Sequence, residues 1–341
     1  MMKSLLLYYI YLLLRVFAQN SLCLKCVRST ILVVGTTGAT GLRAIRGLMD
    51  TGLGVQDIKI LTRNAEKPLI KDLRAAGFCI VEADLDNPKS LEGFSKGCSG
   101  CYIHSTAADT RNLDTGEALR ATALTDAIVK DGDIKSVVFN SAVGELGHNV
   151  ARIQQKHDAE EVYQSKFIPE GISFTALRAN LFMEELWKDV SGRPKILNGR
   201  FMFAMPPDRK LYLTSVRDLG RLAGRILQSN NTPATGWRKI NVAGDYLTCC
   251  EMSNSFAVAQ GSPCTFSRAR LLELISWLFF RDLYSIIRYY QTMTESTDIE
   301  ALRSEFPGDI QSFSDFLSDT HWGDANRNFE DFLNVKEVLQ L

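Results

Sequence analysis

Seven residues near the start of the chain decide the fold, and they read Gly35-Thr36-Thr37-Gly38-Ala39-Thr40-Gly41. They follow a short apolar run, Ile31-Leu32-Val33-Val34, and apolar residues recur with helical spacing in the stretch after them, residues 42–49. A buried strand that runs into a glycine turn and then into a helix is the setting in which dinucleotide-binding folds hold a pyrophosphate. The pattern therefore predicts a strand, a turn and a helix, with phosphates at the start of the helix.

The three glycines have separate roles in this interpretation. Gly35 permits the tight turn, Gly38 lets the backbone approach a pyrophosphate, and Gly41 allows the helix to pack closely on the strand. We predict that the cofactor site spans the whole motif, namely Gly35, Thr36, Thr37, Gly38, Ala39, Thr40 and Gly41. The spacing differs from G-x-G-x-x-G, so an ordinary glycine turn before a helix is the alternative.

The bulk composition is that of a soluble globular protein. The 341 residues are 45% apolar and 23% charged, and 39 basic side chains balance 39 acidic ones. A chain of this length can bury a sizeable core in one large domain or in a domain with a smaller appendage. Because the net charge is zero, no overall field favours nucleic acid or an anionic membrane, and we predict no nucleic-acid partner.

Two C-x-x-C pairs stand out among the eight cysteines, Cys23 with Cys26 and Cys98 with Cys101. The pairs are far apart in the sequence, and a strand–helix unit lies between them. We expect Cys98 in a loop and Cys101 at the start of a strand. Unrelated, reduced thiols are the favoured interpretation, with a redox or metal pair as the alternative, and we predict no metal site.

Residues 1–30 differ from the rest of the chain. Lys3 precedes an apolar run at residues 5–14, and no acidic residue occurs before Asp50. The run is shorter than the ~20 residues that a membrane-spanning helix needs. We interpret residues 1–30 as a targeting leader for a plastid or another organelle, with no membrane span once it is removed. The alternative is a disordered extension without a role, in which case the protein is cytoplasmic.

Strands and helices alternate after the leader, which predicts βαβ units and a parallel sheet. The fold class is thus α/β, a doubly wound Rossmann-type sheet, with residues 31–180 as the nucleotide-binding domain. The predicted strands are 31–34, 58–61, 79–81, 102–103, 137–139 and 173–177, and the helices that follow the first are 67–76, 89–96, 115–130 and 150–166.

Past residue 180 the alternation loosens. We expect residues 181–341 to supply the last strands of the sheet and a smaller, mostly helical cap, with the ligand in the crevice between sheet and cap. The predicted helices here are 181–190, 217–228, 251–260 and 271–290, and the predicted strands are 201–204, 211–213 and 239–242.

The end of the second strand indicates which dinucleotide binds. An NAD site usually has a carboxylate there, whereas this chain has Arg63, with Lys67 one helical turn further on. Two cations suit the 2′-phosphate of NADP(H), which is the predicted cofactor, although either could be an ordinary solvated charge. Asp84 and Leu85, after the third strand, are placed at the adenine edge; Asp84 could equally cap the next turn.

Four motifs together resemble the NmrA-like family, whose members are atypical short-chain dehydrogenases/reductases. They are the glycine motif, Thr62-Arg63-Asn64-x-x-Lys67, Lys156-His157-x-x-Glu160-Glu161 and Leu177-Arg178-x-Asn180-x-Phe182-Met183-Glu184. The resemblance extends from about residue 31 to residue 325. It implies a Rossmann fold, a preference for NADP(H) and a small C-terminal domain. The family includes reductases and proteins that bind the dinucleotide to report redox state or assist other complexes.

The tyrosine of the usual Tyr-x-x-x-Lys pair is missing, which leaves Lys156 as the candidate catalytic residue. Lys156 shares a helix face with apolar residues, and a lysine on such a face needs a partner. The nicotinamide ribose is one candidate, which the resemblance supports, and Glu160 at i+4 is the other.

Other polar residues near the predicted crevice have weaker claims. Ser105 and Thr106 follow the fourth strand, on the nicotinamide side, and we assign them to the cofactor site together with Phe182 of the last motif. For His104 a structural role is favoured over that of a proton carrier. A structural hydroxyl after the strand is likewise the favoured interpretation of Ser141.

Two functions remain in competition. The first is an NADP(H)-dependent reductase of an unidentified small carbonyl or conjugated substrate, with Lys156 in the crevice. The second is a non-catalytic NADP(H)-responsive regulator or assembly factor, to which the missing tyrosine points, and which would have a protein partner. An epimerase acting on nucleotide sugars is less favoured because it too would need the tyrosine.

Overall fold

The computed structural model describes residues 30–36, 38–105, 116–144, 150–186, 196–197, 199–228, 236–324 and 334–340, without the side chains of Ala39, Ile196 and Leu197. Residues 1–29 of the predicted leader, Thr37 and Thr106 lie outside the described residues, and the predictions made for them stay predictions. Thr30, which we had assigned to the leader, is the first residue of β1. None of the helices in the described ranges is long and apolar enough to cross a membrane.

Strands and helices alternate through the first half of the chain, as predicted. These elements are β1 (Thr30–Val34), α1 (Ala39–Asp50), β2 (Ile58–Thr62), α2 (Pro68–Ala75), β3 (Cys79–Glu82), β4 (Cys98–Ile103), α3 (Glu117–Asp131), β5 (Ser136–Ala142), α4 (Ala151–Phe167) and β6 (Ser173–Ala179).

The second half adds short strands and further helices. They are β7 (Leu181–Phe182), β8 (Ile196–Leu197), β9 (Arg200–Phe203), β10 (Lys210–Thr214), α5 (Val216–Gln228), β11 (Trp237–Val242), β12 (Asp245–Thr248), α6 (Cys249–Gln260), β13 (Thr265–Arg268), α7 (Arg270–Phe279), α8 (Arg281–Thr292), α9 (Ile299–Glu305), α10 (Phe313–Asp319) and α11 (Val335–Leu339).

Seven of the described strands form one parallel sheet in the order β11-β6-β5-β4-β1-β2-β3. The chain order reverses between β1 and β4, and ligands of such sheets bind at the carboxyl ends of the strands at that point. The predicted doubly wound α/β class is confirmed.

The sheet is covered on both faces, which explains why its strands are apolar without alternation. In β1, Ile31 and Val33 belong to the core that packs under α1, α2 and α5, whereas Leu32 and Val34 belong to the core under α3 and α4. Helix α11 adds Val335 to the first of these cores.

The cap contains more strand than we predicted. Two three-stranded sheets, β12-β10-β7 and β13-β9-β8, lie among the described residues and share an apolar core with α6 and α10. Phe201, Phe256 and Phe313 form the centre of this core and are fully buried.

Several predicted elements were wrong. Residues 89–96 contain only a 3₁₀ turn, Pro88–Leu91, because Gly93 and Gly97 adopt the left-handed φ values of 74° and 77° that end a helix. No helix begins at Leu181, where we predicted one over residues 181–190. The chain forms strand β7 there, which pairs with β10, and then a 3₁₀ turn at Met183–Leu186. The helix predicted at 271–290 is two helices, α7 and α8, that meet at Phe280.

The two cysteines of the second pair both lie in β4, so Cys98 is not in a loop. Both are free, buried thiols. Burial raises the pKa of each thiol above its usual value, which disfavours the thiolate that metal binding or redox exchange would need. Cys23 and Cys26 lie outside the described residues.

Candidate functional site

The glycine turn joins β1 to α1 and touches the end of β4. Gly35 has a φ of 91°, and a Cβ added there would lie 1.6 Å from the carbonyl oxygen of His104. A Cβ on Gly41 would lie 2.5 Å from the Cα of Thr36. Only glycine fits at these two positions, because any side chain would push the turn off β4 or α1 off the turn.

Gly38 differs from the other two glycines because it faces open space. A Cβ added to it meets no heavy atom within 4 Å among the described residues. Gly38 is the N-cap of α1, and in the described part of the chain no side chain caps this helix and its first turn has no acidic residue. The helix therefore presents uncapped N–H groups beside an open backbone, which is the arrangement that binds phosphates.

Thr36 carries an unsatisfied polar atom inside this turn. The residue is fully buried, and its Oγ1 has no hydrogen-bond partner within the described ranges. Buried hydroxyls in native proteins are almost always paired, so this one is a candidate contact for a bound group.

Lys156 contacts Ser105, one residue after the His104 carbonyl that Gly35 approaches, and it is held in a cluster that the sequence did not predict. Its Nζ donates hydrogen bonds to Glu117 Oε1 at 2.8 Å, to Ser105 Oγ at 3.1 Å and to the Ser105 carbonyl. Ser105 Oγ in turn donates to Glu117. The side chains of Lys156 and Glu117 are only 11% and 3% exposed, so they form a nearly buried ion pair.

The ammonium group of Lys156 also lies 5.3 Å from the centre of the Phe139 ring, a favourable distance for a cation–π contact. The alternative partner that we had considered, Glu160, was wrong for this residue. The partner is Glu117, which lies on a different helix, α3. The spacing of residues within α4 could not identify it.

Glu160 instead belongs to a separate cluster. It accepts hydrogen bonds from Arg178 Nη2 at 2.7 Å, from Arg178 Nε at 3.0 Å and from the hydroxyl group of Ser141. Ser141 lies inside β5 rather than after it. The three residues link β5, β6 and α4, which fits the structural role favoured for Ser141.

His104 is a structural residue in this arrangement. The amide of Asn140 donates from Nδ2 to His104 Nδ1 over 2.8 Å, which leaves the proton of the neutral ring on Nε2. Burial, with a smaller contribution from the charge of Lys156, lowers the pKa of His104 to about 3. The ring is therefore neutral near pH 7, as expected for a histidine that holds β4 against β5.

The predicted adenosine side lies at the ends of β2 and β3. Arg63 and Lys67 are exposed, and in the described part of the chain neither forms an ion pair. Asp84 Oδ1 accepts the N–H of Asp86 at 3.1 Å, so the alternative role as a turn cap is present. Leu85 lies on the wall of a cavity of about 850 Å³ between this segment and α3.

The last motif connects the sheet to the cap. Phe182 is half-buried in β7, where it packs against the core that contains α1 and α5. Asn180 donates from Nδ2 to the Val242 carbonyl at 3.0 Å and to Thr297 Oγ1 at 3.2 Å. Glu184 accepts from the N–H of Val216 at 3.0 Å. Burial raises the pKa of Glu184 to about 7.

The structure thus brings the predicted residues Gly35, Ser105 and Lys156 together, and it adds Glu117, which we had missed. Glu117 is the first residue of α3, 39 positions before Lys156 in the chain, so no local spacing marked it as the partner. Whether these residues contact a cofactor stays a prediction.

Comparison with known proteins agrees with the fold. The sequence model of the NmrA-like family matches residues 27–317, which confirms the predicted resemblance. A triphenylmethane reductase from Citrobacter sp., complexed with NADP(H), is similar over 85% of this chain and 99% of its own, with 16% identity and a TM-score of 0.65.

Two further solved structures are similar. An NADPH-dependent quinone oxidoreductase from Escherichia coli, complexed with NADPH, has 17% identity and a TM-score of 0.65, with 85% of this chain and 99% of that chain covered. NmrA, a negative transcriptional regulator in complex with NAD, has 14% identity and a TM-score of 0.63, with 86% and 96% covered. At these identities the likeness establishes the fold.

Proposed function

The chain belongs to the NmrA-like family, and we propose that it binds NADP(H) and reduces a small carbonyl or conjugated substrate. The observation that carries the proposal is the position of Lys156, nearly buried and held by Glu117 and by Ser105, one residue after the His104 carbonyl that Gly35 approaches. Similar structures include reductases solved with NADP(H) and NADPH, which supports this choice of cofactor.

The residues at the turn fit a dinucleotide. The pyrophosphate would lie on the uncapped start of α1, over the open side of Gly38, where the orphaned Thr36 hydroxyl could pair with it. Arg63 and Lys67, exposed and without ion pairs among the described residues, would hold the 2′-phosphate. The nicotinamide end would then extend towards Lys156.

The cofactor supplies a hydride when it is bound. Lys156 Nζ is the group that can pass a proton to the oxygen of a carbonyl substrate as its carbon accepts the hydride. Glu117 and Ser105 hold that ammonium group in place. The lysine would then supply the proton that the tyrosine supplies in enzymes with the Tyr-x-x-x-Lys pair. Solvent would return the proton to Nζ after the reduced product leaves.

A second function has one specific observation in its favour. The protons of Lys156 Nζ are shared among the Ser105 carbonyl, Ser105 Oγ and Glu117, so in this arrangement the lysine is fully engaged. A regulator that binds the dinucleotide without turnover would need no more than this, and one similar structure is a transcriptional regulator bound to NAD.

The two functions separate in an assay with purified protein, NADPH and a panel of carbonyls and quinones. Lys156→Arg keeps the positive charge and the ion pair but holds its protons at every relevant pH. We expect it to bind NADPH yet lose at least roughly a hundredfold of turnover, the size of a general-acid contribution.

Lys166→Arg, on the same helix and paired at the surface with Asp126, is the matched control and should stay active. Cofactor binding by the parent protein, without oxidation of NADPH by any member of the panel, would contradict the reductase and favour the regulator.

A further inference from the structure

Helix α7 presents its apolar side to solvent. Leu271, Leu274, Ile275 and Leu278 recur at the spacing of one helix face, and they are 68%, 51%, 37% and 53% exposed. Three aromatic residues extend the surface: Trp277, Phe279 and Phe280. We call these seven residues the α7 face.

The polar side of α7 is turned inwards and fixed there. Glu273 accepts from Arg268 Nε at 2.7 Å and Arg268 Nη2 at 2.8 Å, and it also accepts from the amide of Gln291 at 3.3 Å. Ser276, on the same side, is fully buried and donates to the Glu273 carbonyl. Rotating the helix to hide its leucines would break this bidentate ion pair, so the outward apolar face is a stable feature of the cap.

The rim of the α7 face is cationic. Arg270 and Arg281 flank it and are both exposed. The carboxylates of α7 and α8 form their ion pairs with other arginines, Glu273 with Arg268 and Asp282 with Arg152 at 2.6 Å. Arg270 lies near enough to Glu273 for its charge to lower the pKa of that carboxyl, so Glu273 offsets Arg268 and Arg270 together and leaves an excess of positive charge. Although the whole chain has no net charge, this part of its surface joins a large apolar area to two positive charges.

We propose that the α7 face docks on a membrane surface that carries anionic headgroups. Leucine, tryptophan and phenylalanine on one side of a helix, with arginines at its edge, are the composition of helices that lie in the bilayer interface. The arginines would meet the headgroups while the apolar side chains enter the boundary below them. A contiguous exposed patch of this kind is rare on a soluble protein unless it binds something.

A second copy of the chain suits this surface less well. Two α7 faces related by a two-fold axis would bring Arg270 and Arg281 of one copy against the same arginines of the other. The carboxylates of both helices are already held in ion pairs with Arg268 and Arg152, so they would relieve little of the repulsion.

The docked orientation would leave the candidate site close to the lipid. Helix α8 follows the α7 face, and Tyr289 on it donates to the Val143 carbonyl at the end of β5. Asp282, also on α8, forms an ion pair with Arg152 in the first turn of α4, and Arg152 lies one helical turn before Lys156. The docking itself does not depend on the proposed reductase activity.

The test is flotation of the full chain with vesicles of phosphatidylcholine, with and without phosphatidylglycerol, together with Trp277 fluorescence. We expect binding to the anionic vesicles and a blue shift that Trp277→Phe removes. Leu274→Gln with Leu278→Gln should weaken binding by at least roughly tenfold, since two buried side chains are lost from the interface. Arg270→Gln with Arg281→Gln should abolish the preference for anionic lipid.

Val258→Gln is the matched control, because Val258 is 84% exposed on α6 and lies outside the α7 face. The proposal would be overturned by an absence of flotation or by equal flotation with neutral lipid. Unchanged flotation of the leucine variant would also overturn it and would indicate that residues 5–14 bind the membrane instead. If the parent protein does not float with vesicles but sediments as a dimer, and the leucine variant sediments as a monomer, the partner of the α7 face is a second copy of the chain.

Discussion

Replacing Glu117 with glutamine tests whether the lysine cluster is a real energetic unit. The substitution keeps the size of the side chain and one acceptor oxygen, but it leaves the Lys156 ammonium group nearly buried without an opposite charge. Both side chains are almost inaccessible, at 11% and 3% exposure, so water cannot replace the lost carboxylate. Removing one partner of a buried pair costs about 3–5 kcal/mol.

We expect Glu117→Gln to lower the free energy of unfolding by about 3 kcal/mol, at the small end of that range because the Ser105 carbonyl still accepts from Nζ. Asp126→Asn on the same helix is the control. It breaks a surface pair whose side chains are 35% and 62% exposed, and such pairs contribute roughly 0–1 kcal/mol.

The assay is urea unfolding of four proteins: the parent, Glu117→Gln, Lys156→Met and the double variant. In the double variant no buried charge is left alone, so it should be more stable than Glu117→Gln, and the cycle should give a coupling of about 2 kcal/mol. A loss in Glu117→Gln no greater than that in Asp126→Asn, or additive effects in the cycle, would refute the buried ion pair.

Four further predictions follow from the strand ends, the glycine turn and the cap. NADPH should bind at least tenfold more tightly than NADH in titrations, a difference of about 1.4 kcal/mol, and Arg63→Ala should remove most of it; equal affinities in the parent would contradict the assignment. Gly35→Ala should fail to fold or melt far below the parent, because its Cβ would lie 1.6 Å from a carbonyl oxygen. Gly38→Val should lose dinucleotide binding in the same titration. Its Cβ meets no heavy atom within 4 Å among the described residues, so the variant should stay folded, but the φ of 154° strains any side chain and should lower its melting temperature. Burial raises the pKa of Glu184 to about 7, from an unfolded value near 4.5. Between pH 4.5 and pH 7 the folded state therefore binds more protons than the unfolded state, so the free energy of unfolding should fall as the pH rises through this range. Glu184→Gln should flatten that fall in urea unfolding measured from pH 5 to pH 8; an unchanged slope would show that Glu184 is not its source.

The glycine turn could be predicted from sequence because its determinants are local. The apolar strand, the three glycines and the helix are contiguous, and the steric reasons for Gly35 and Gly41 act between near neighbours and the adjacent strand. The same holds for β2 and β3, whose apolar runs reflect a sheet buried on both faces. The helix predicted at 181–190 was wrong because local spacing competed with a remote partner: β7 is a strand because Leu181 pairs with Leu213 of β10. The helix predicted at 89–96 was wrong for a local reason, the left-handed conformation of Gly93 and Gly97.

Lys156 shows where such prediction ends and what it still provides. A lysine within an apolar stripe indicated that a partner must exist, because burying an unpaired charge costs a large amount of free energy. Its helix offered Glu160 at the right spacing, but Arg178 and Ser141 occupy that carboxylate. The partner came instead from α3, brought near only when β4 and β5 pair and α3 packs on α4. The physical requirement was therefore visible in the sequence, whereas the residue that meets it depends on contacts that only the assembled sheet creates.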